Sequence, residues 1–195
     1  MNRFRARVSS LLIALLAFPA CMLVASAQER AQERPPNFWF QGTRLIFEHP
    51  VAAEGDIAVS TRDAGLRRFL DRLGVTVSYQ PQQRYVVIAT ADRRTIVFTL
   101  GDAGYTVAGV RAQAPFAPFA DGNDVMLPFY TLARALYVEA VPDANETVLQ
   151  PRVGALDVRT DGGRTTVTVH AAMPLVMTAN ADAPDRVQLS FAGLG

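Results

Sequence analysis

The chain predicts an α+β fold: a mostly antiparallel β-sheet wrapped around two short amphipathic helices in a duplicated unit, with a C-terminal β-hairpin segment behind it. Three observations predict this. The segment Ala64-Gly65-Leu66-Arg67-Arg68-Phe69-Leu70-Asp71-Arg72-Leu73-Gly74 aligns without a gap on Leu127-Pro128-Phe129-Tyr130-Thr131-Leu132-Ala133-Arg134-Ala135-Leu136-Tyr137, an offset of 63 residues. Each copy has the spacing of one buried helical face and runs into residues that alternate apolar and polar, the period of a strand. Beyond Pro151 the helical period stops and only strand signals remain.

Taken from the N-terminus, the first element is an address. Arg3, Arg5 and Arg7 form a basic start, Leu11 to Val24 is an uncharged apolar run, and Ala25-Ser26-Ala27 has the small-x-small form of a cleavage site. Residues 1–27 therefore read as a signal peptide cleaved after Ala27, and the protein as exported to the periplasm, cell envelope or exterior. The run is shorter than the roughly 20 apolar residues of a bilayer span; a retained anchor, touching the membrane only through this leader, is the alternative. Cys21 raises a lipoprotein reading, against which Phe18 and Pro19 stand where a lipobox carries an aliphatic and a small residue. The only cysteine leaves with the leader, so the exported chain has no disulfide and relies on its core. Removing three of the 19 basic residues leaves 16 against 18 acidic ones. All the basic residues are Arg, scattered along the chain, which lacks the clustered basic face of a nucleic-acid binder.

Residues 28–42 begin with a duplicated polar tract and a proline pair, the composition of a linker. Phe38, Trp39 and Phe40 follow, either as an exposed ligand platform or as a pin fastening the start of a domain to its core. From residue 43 the pattern alternates, with strands expected at Arg44–Phe47 and, after a turn at Gly55, up to Val59. Thr61 is the expected N-cap of the first helix, with Asp63 placed favourably near its start. Leu66, Phe69, Leu70 and Leu73 form its buried face, and Gly74 its left-handed end. Strands are expected at Val75–Tyr79, Tyr85–Ala89, Thr95–Leu100 and Tyr105–Val110. Asp121-Gly122-Asn123-Asp124 reads as a turn, since a calcium loop needs a longer run of oxygen ligands and a distal Glu. Pro128 suits the first turn of the second helix, whose buried face is Leu132, Ala133 and Leu136. The tail offers strands at Gly154–Arg159, Arg164–His170, Leu175–Ala179 and Arg186–Phe191, with Asp161-Gly162-Gly163 as a tight connection.

These residues resemble a known family. The copper amine oxidase-like N-terminal domain, or stalk domain, carries a duplicated signature of the form G-x-x-x-VPLRxxAEALG followed by V-x-W. Leu127-Pro128-Phe129 and Ala133-Arg134-Ala135-Leu136 match the second copy; Leu66-Arg67, Leu73-Gly74 and Val77-Ser78-Tyr79 match the first. Gly101-Asp102, Tyr105 to Gly109 and Ala114-Pro115 are similar to the stretch between them. The resemblance spans residues 43–151. Ala64-Gly65 stands for the first Val-Pro, Tyr130 for the second Arg and Tyr137 for the closing glycine. The tail, residues 152–195, resembles an AMIN β module, with Pro184-Asp185-Arg186 opening its closing strand and Leu156 to Val169 its opening hairpin. The stalk resemblance implies a non-catalytic appendage without copper ligands, and the AMIN resemblance implies peptidoglycan recognition.

The residues themselves offer no catalytic, cofactor-binding or metal-ligating set. His49 and His170 alone cannot supply a three-nitrogen metal site. No G-x-S-x-G elbow exists; Ser60, Ser78 and Ser190 sit in strand or cap contexts. A lone His170 at a strand end reads as a surface or packing residue. The pairs Glu139 with Asp143 and Asp182 with Asp185 read as solvated loop charges. A non-enzyme without cofactors is therefore expected. Its ligand-binding residues are undecided: Trp39, Tyr79, Tyr130 and Tyr137 could stack on sugars, and Arg67, Arg134 or Arg186 could meet stem-peptide carboxylates. The opposing reading puts the aromatics in the core and the arginines at solvated edges. Expected partners are a cell-wall glycan or another envelope protein, the latter docked through a sheet edge, and not nucleic acid.

Overall fold

A computed structural model describes residues 37–143, 146–183 and 186–192, with side chains for all but 181–183, 186, 187 and 191. The expected leader, the 28–36 tract and Asp185 lie outside these residues. Among the described residues two helices are set among seventeen strands, in keeping with the α+β expectation, but the β structure divides into five sheets.

The first sheet has the order β12-β13-β1-β2, built from β1 (Asn37–Phe40), β2 (Thr43–Leu45), β12 (Val138–Asp143) and β13 (Glu146–Pro151). Phe38 and Phe40 point inward and are buried, so the aromatic trio pins the domain to its core. The fold thus begins inside the stretch read as linker, because two Phe side chains in the core stabilise the strand by roughly 1.5–3 kcal/mol each.

The second sheet has the order β10-β11-β4-β3. It joins two hairpins, β3 (Val51–Ala53) with β4 (Asp56–Ser60) and β10 (Phe119–Asp121) with β11 (Asp124–Pro128). The turn expected at Asp121–Asp124 is the second of these connections. β4 and β11 pair antiparallel at the centre, Ala58 opposite Pro128 and Ser60 opposite Met126. Each hairpin leads into a helix, the first into α1 (Ala64–Arg72) and the second into α2 (Phe129–Ala135). Pro128 is the residue before α2 and the last of β11, where a missing N–H still costs no helical bond.

The duplicated alignment is reproduced in burial. Leu66, Phe69, Leu70 and Leu73 are each at most 3 % exposed, and so are the aligned Phe129, Leu132, Ala133 and Leu136. The two helices meet through Phe69 and Phe129, edge to face with centroids 5.6 Å apart. Phe38 and Phe47 close on Phe129 at 5.2 and 4.8 Å. Aromatic pairs in this geometry add about 0.5–1.5 kcal/mol beyond the area they bury.

The third sheet is a meander of β5 (Thr76–Gln80), β6 (Tyr85–Ala89), β7 (Thr95–Thr99), β8 (Gly104–Val107) and β9 (Val110–Gln113). Val86, Ile88, Ile96 and Phe98 are its fully buried face. The strand expected at Tyr105–Val110 is in fact two. Ala108 and Gly109 both take left-handed φ, +49° and +83°, and turn the chain between Val107 and Val110. The tail consists of two hairpins, β14 (Val153–Asp161) with β15 (Arg164–Ala171) and β16 (Val176–Ala183) with β17 (Arg186–Ala192). No described helix is long and apolar enough to cross a membrane.

Candidate functional site

α2 carries Tyr130 and Arg134 four residues apart on one face, and Tyr137 follows just past its C-terminus at left-handed φ. These three residues border an open groove of about 690 Å³ whose far wall is β12 and the start of β14, with Glu139, Arg152 and Gly154 among its lining residues. Three of the seven residues singled out for binding therefore come together. Arg134 is exposed, without an ion pair among the described residues. Arg152 holds Glu139 at 2.8 Å and donates to the Gln150 side chain at 2.9 Å, all near the groove rim.

Tyr130 is half-buried against Phe38 and Phe129, at 5.8 and 5.9 Å between centroids. Burial pushes its phenol above the ordinary value; a hydrogen bond with Thr147 pulls it back and the nearby Asp56 charge pushes it up again. Tyr137 is less free than a stacking platform requires. The Arg94 guanidinium carbon lies 4.0 Å from its ring centroid. On Gly154 a Cβ would collide with the ring itself. The Tyr137 carbonyl accepts the Arg152 N–H at 2.8 Å, so this residue joins the helix to the tail.

The other four residues lie elsewhere. Trp39 is on β1 with its indole N–H buried and without a partner among the described residues, and Tyr79 is an exposed residue of the edge strand β5. Arg67 is exposed on α1, while the Arg186 side chain lies outside the described ones.

Where α2 begins, the decisive group is one that sequence reasoning passed over. Asp56, 5 % exposed, accepts the N–H groups of Ile57, Tyr130 and Thr131 at 2.7, 2.7 and 2.9 Å and the Thr131 hydroxyl at 2.8 Å. A carboxylate at a helix N-terminus satisfies otherwise orphaned donors and sits at the positive end of the dipole. The signal for it was an acid just after a glycine turn in each hairpin, Gly55-Asp56 and Gly122-Asn123-Asp124.

A second cluster joins the tail to the meander. Asp92 accepts from Arg94 Nε at 2.6 Å and from the Thr90 hydroxyl, and lies 3.3 Å from His170 Nδ1. His170 Nε2 lies 3.1 Å from Asp157 on β14. Burial raises the Asp92 carboxyl, but the hydrogen bonds from Thr90 and Arg94, the Arg94 charge and the His170 contact outweigh it and bring it down to about 2. Beside this cluster a cavity of about 360 Å³ is bounded by Leu73 and Leu136, the matching last buried positions of the two copies, and by Val167 and Val169 of β15. His170 is thus a structural bridge. Glu139 and Asp143, read as loop charges, both stand on β12, and Ser60 donates to Asp124 at 2.9 Å.

A family model described as the copper amine oxidase N-terminal domain matches residues 40–150. Comparison with curated proteins and with solved structures finds no match. Among the described residues no three His, Cys, Asp or Glu side chains are grouped as metal ligands. His49 is exposed in a loop and both ring nitrogens of His170 face carboxylates, so the residues present do not fit a copper ion.

Proposed function

The chain belongs to the copper amine oxidase N-terminal domain family, a non-catalytic domain, and from that premise we propose that it is an exported attachment module of the cell envelope that binds peptidoglycan. The observation that carries this reading is the groove beside α2. It offers an exposed arginine at Arg134, a second at Arg152 and the half-buried ring of Tyr130 within one open concavity. Guanidinium groups pair with the carboxylates of stem peptides, and an aromatic edge covers the apolar face of a sugar. The leader supplies the address and the AMIN-like tail the analogy to cell-wall recognition.

Co-sedimentation with purified sacculi tests it. The wild-type chain is expected in the pellet, and Arg134→Ala combined with Arg152→Ala is expected to weaken retention about tenfold or more, two charge-assisted contacts being lost. Retention that is absent, or indifferent to both substitutions, overturns the groove reading. Hydrolysis of the sacculi by the pure protein would overturn the non-catalytic one.

A second reading is a structural subunit that docks to another envelope protein or to a secretion or pilus complex. Exposed apolar side chains on both faces of β16, Val176 at 69 % and Met177 at 58 %, favour it. Retention on the envelope only when other envelope proteins are present would select it.

A further inference from the structure

All nine residues of β14 are exposed, and among the described residues its sheet contains only β14 and β15. A strand of that length with an open edge is a template for pairing with another chain. The geometry also says which of its groups are available. Gly162 and Gly163, with φ of +53° and +77°, form a two-residue turn closed by Asp161 and Arg164. In such a hairpin the closing pair exchanges hydrogen bonds and alternate residues then face outward. Leu156, Val158 and Thr160 therefore direct their N–H and C=O groups to the open edge.

We propose that two copies of this chain associate edge to edge through β14, antiparallel about a two-fold axis at Val158. Side-chain alternation and charge select that register. Residues paired across an antiparallel ladder share a face, so a self-pairing that keeps Leu156 and Val158 on one face must be centred on a residue. Centred on Asp157 it sets that carboxylate against itself. Centred on Arg159 it sets Arg159 against Arg159 and Asp157 against Asp161. Centred on Val158 it sets Asp157 against Arg159 of the second copy twice, and Leu156 against Thr160 twice. Centring on Leu156 or Thr160 shortens the ladder by running it into Pro151 or the Gly162-Gly163 turn. Opposite charges directly across a ladder stabilise it and like charges oppose it, so the Val158 register is the one the strand favours. Arg159, which has no ion pair within the chain among the described residues, gains one in each copy. The product is a four-stranded sheet that carries the exposed Leu156 and Val158 of both copies on one continuous face. This inference does not depend on the groove or its ligand.

Charge reversal tests it on the full-length chain in a mild detergent, with Cys21→Ser to remove the native thiol. Sedimentation is expected to show a concentration-dependent dimer. Asp157→Arg and Arg159→Asp should each weaken association about tenfold, two favourable pairs becoming repulsive, and the double exchange D157R/R159D should restore it. Because Asp157 also faces His170, only that restoration separates pairing across the edge from damage within one copy. Position 158 lies against itself, so Val158→Cys should form a disulfide dimer on mild oxidation, while Val167→Cys should not. A chain that stays monomeric at high concentration overturns the proposal. So does a dimer indifferent to both reversals, or a Val158→Cys chain that crosslinks only to another envelope protein.

Discussion

The two copies of the hairpin-helix unit bury the same four positions but start their helices by different means. In the first copy β4 ends at Ser60 and three residues, Thr61 to Asp63, lead into α1. The last of them caps the helix locally: Asp63 Oδ1 accepts from Gly65 and Leu66 at 2.8 and 3.0 Å, and Oδ2 from Glu48 at 2.6 Å. In the second copy β11 runs straight into α2 and no room remains for a cap; Pro128 stands there with no side chain to accept a hydrogen bond. The cap comes instead from Asp56, 74 positions away from Tyr130, because the antiparallel β4–β11 register carries the start of β4 to the end of β11. Asp124 is the mirror-image acid at the start of β11. The connector has moved α1 past it, so it accepts from Ser60 and pairs with Arg62 instead. Duplication therefore preserves the core more strictly than the polar ends, since four apolar positions share one environment and each cap must fit its own connector.

Substitutions can break or sharpen this comparison. The largest effect is expected where the copies touch: Phe129→Ala should cost about 3–5 kcal/mol in urea unfolding, with Phe69→Ala in the same range. Equal losses support a shared core, and a much smaller loss at Phe129 would unlink the helices. Asp56→Ala should cost about 3 kcal/mol, more than Asp63→Ala at about 2, since it leaves four donors unmatched rather than three. If the two losses are reversed in order, the remote cap is not what holds α2. Gly154→Ala should cost about 1–3 kcal/mol in the same unfolding measurement by driving a methyl into the Tyr137 ring. At the matching C-terminal positions, Gly74 and Tyr137 both sit at left-handed φ, +65° and +60°. Gly74→Ala should cost about 1 kcal/mol. Tyr137→Gly should lose less than the ring contacts predict, because it releases strain of about 1 kcal/mol or more.

The smallest effect concerns pH. The folded Asp92 carboxyl lies near 2, below its ordinary 3.8, so it contributes stability above pH 4 that is lost as pH falls toward 2. Urea midpoints of wild type and Asp92→Asn should differ at pH 5 and converge near pH 2. A difference that persists at pH 2 would mean that the loss comes from packing rather than charge.

Several features were legible before the fold was known. Leu66, Phe69, Leu70 and Leu73 declare a helix because a period of 3.6 needs only neighbours along the chain. Phe38 and Phe40 could be read as a platform or as a pin, and their burial decides for the pin. Two details were misread within that range. Thr61 is not the cap of α1: the helix begins only at Ala64, and Asp63, the residue before it, accepts from Gly65 and Leu66. The strand expected at Val75–Tyr79 is β5, which begins only at Thr76, and its Tyr79 is 40 % exposed on a sheet edge. Of the groove, Tyr130 and Arg134 were foreseeable as one helix face, but not Tyr137, which leaves the helix at left-handed φ, nor Glu139, Arg152 and Gly154, which reach it from other elements.

By itself the chain determined the repeat, the type and order of most elements, and the apolar positions that form the core. These depend on periodicity and turn chemistry, interactions among residues a few places apart. Only the tertiary structure decided that Asp56 caps the second helix, that Tyr137 joins α2 to the tail, that His170 bridges Asp92 and Asp157, and that β14 keeps an open edge. Each of those depends on which strands lie side by side. That pairing is set by the balance of the whole core, which no local pattern contains.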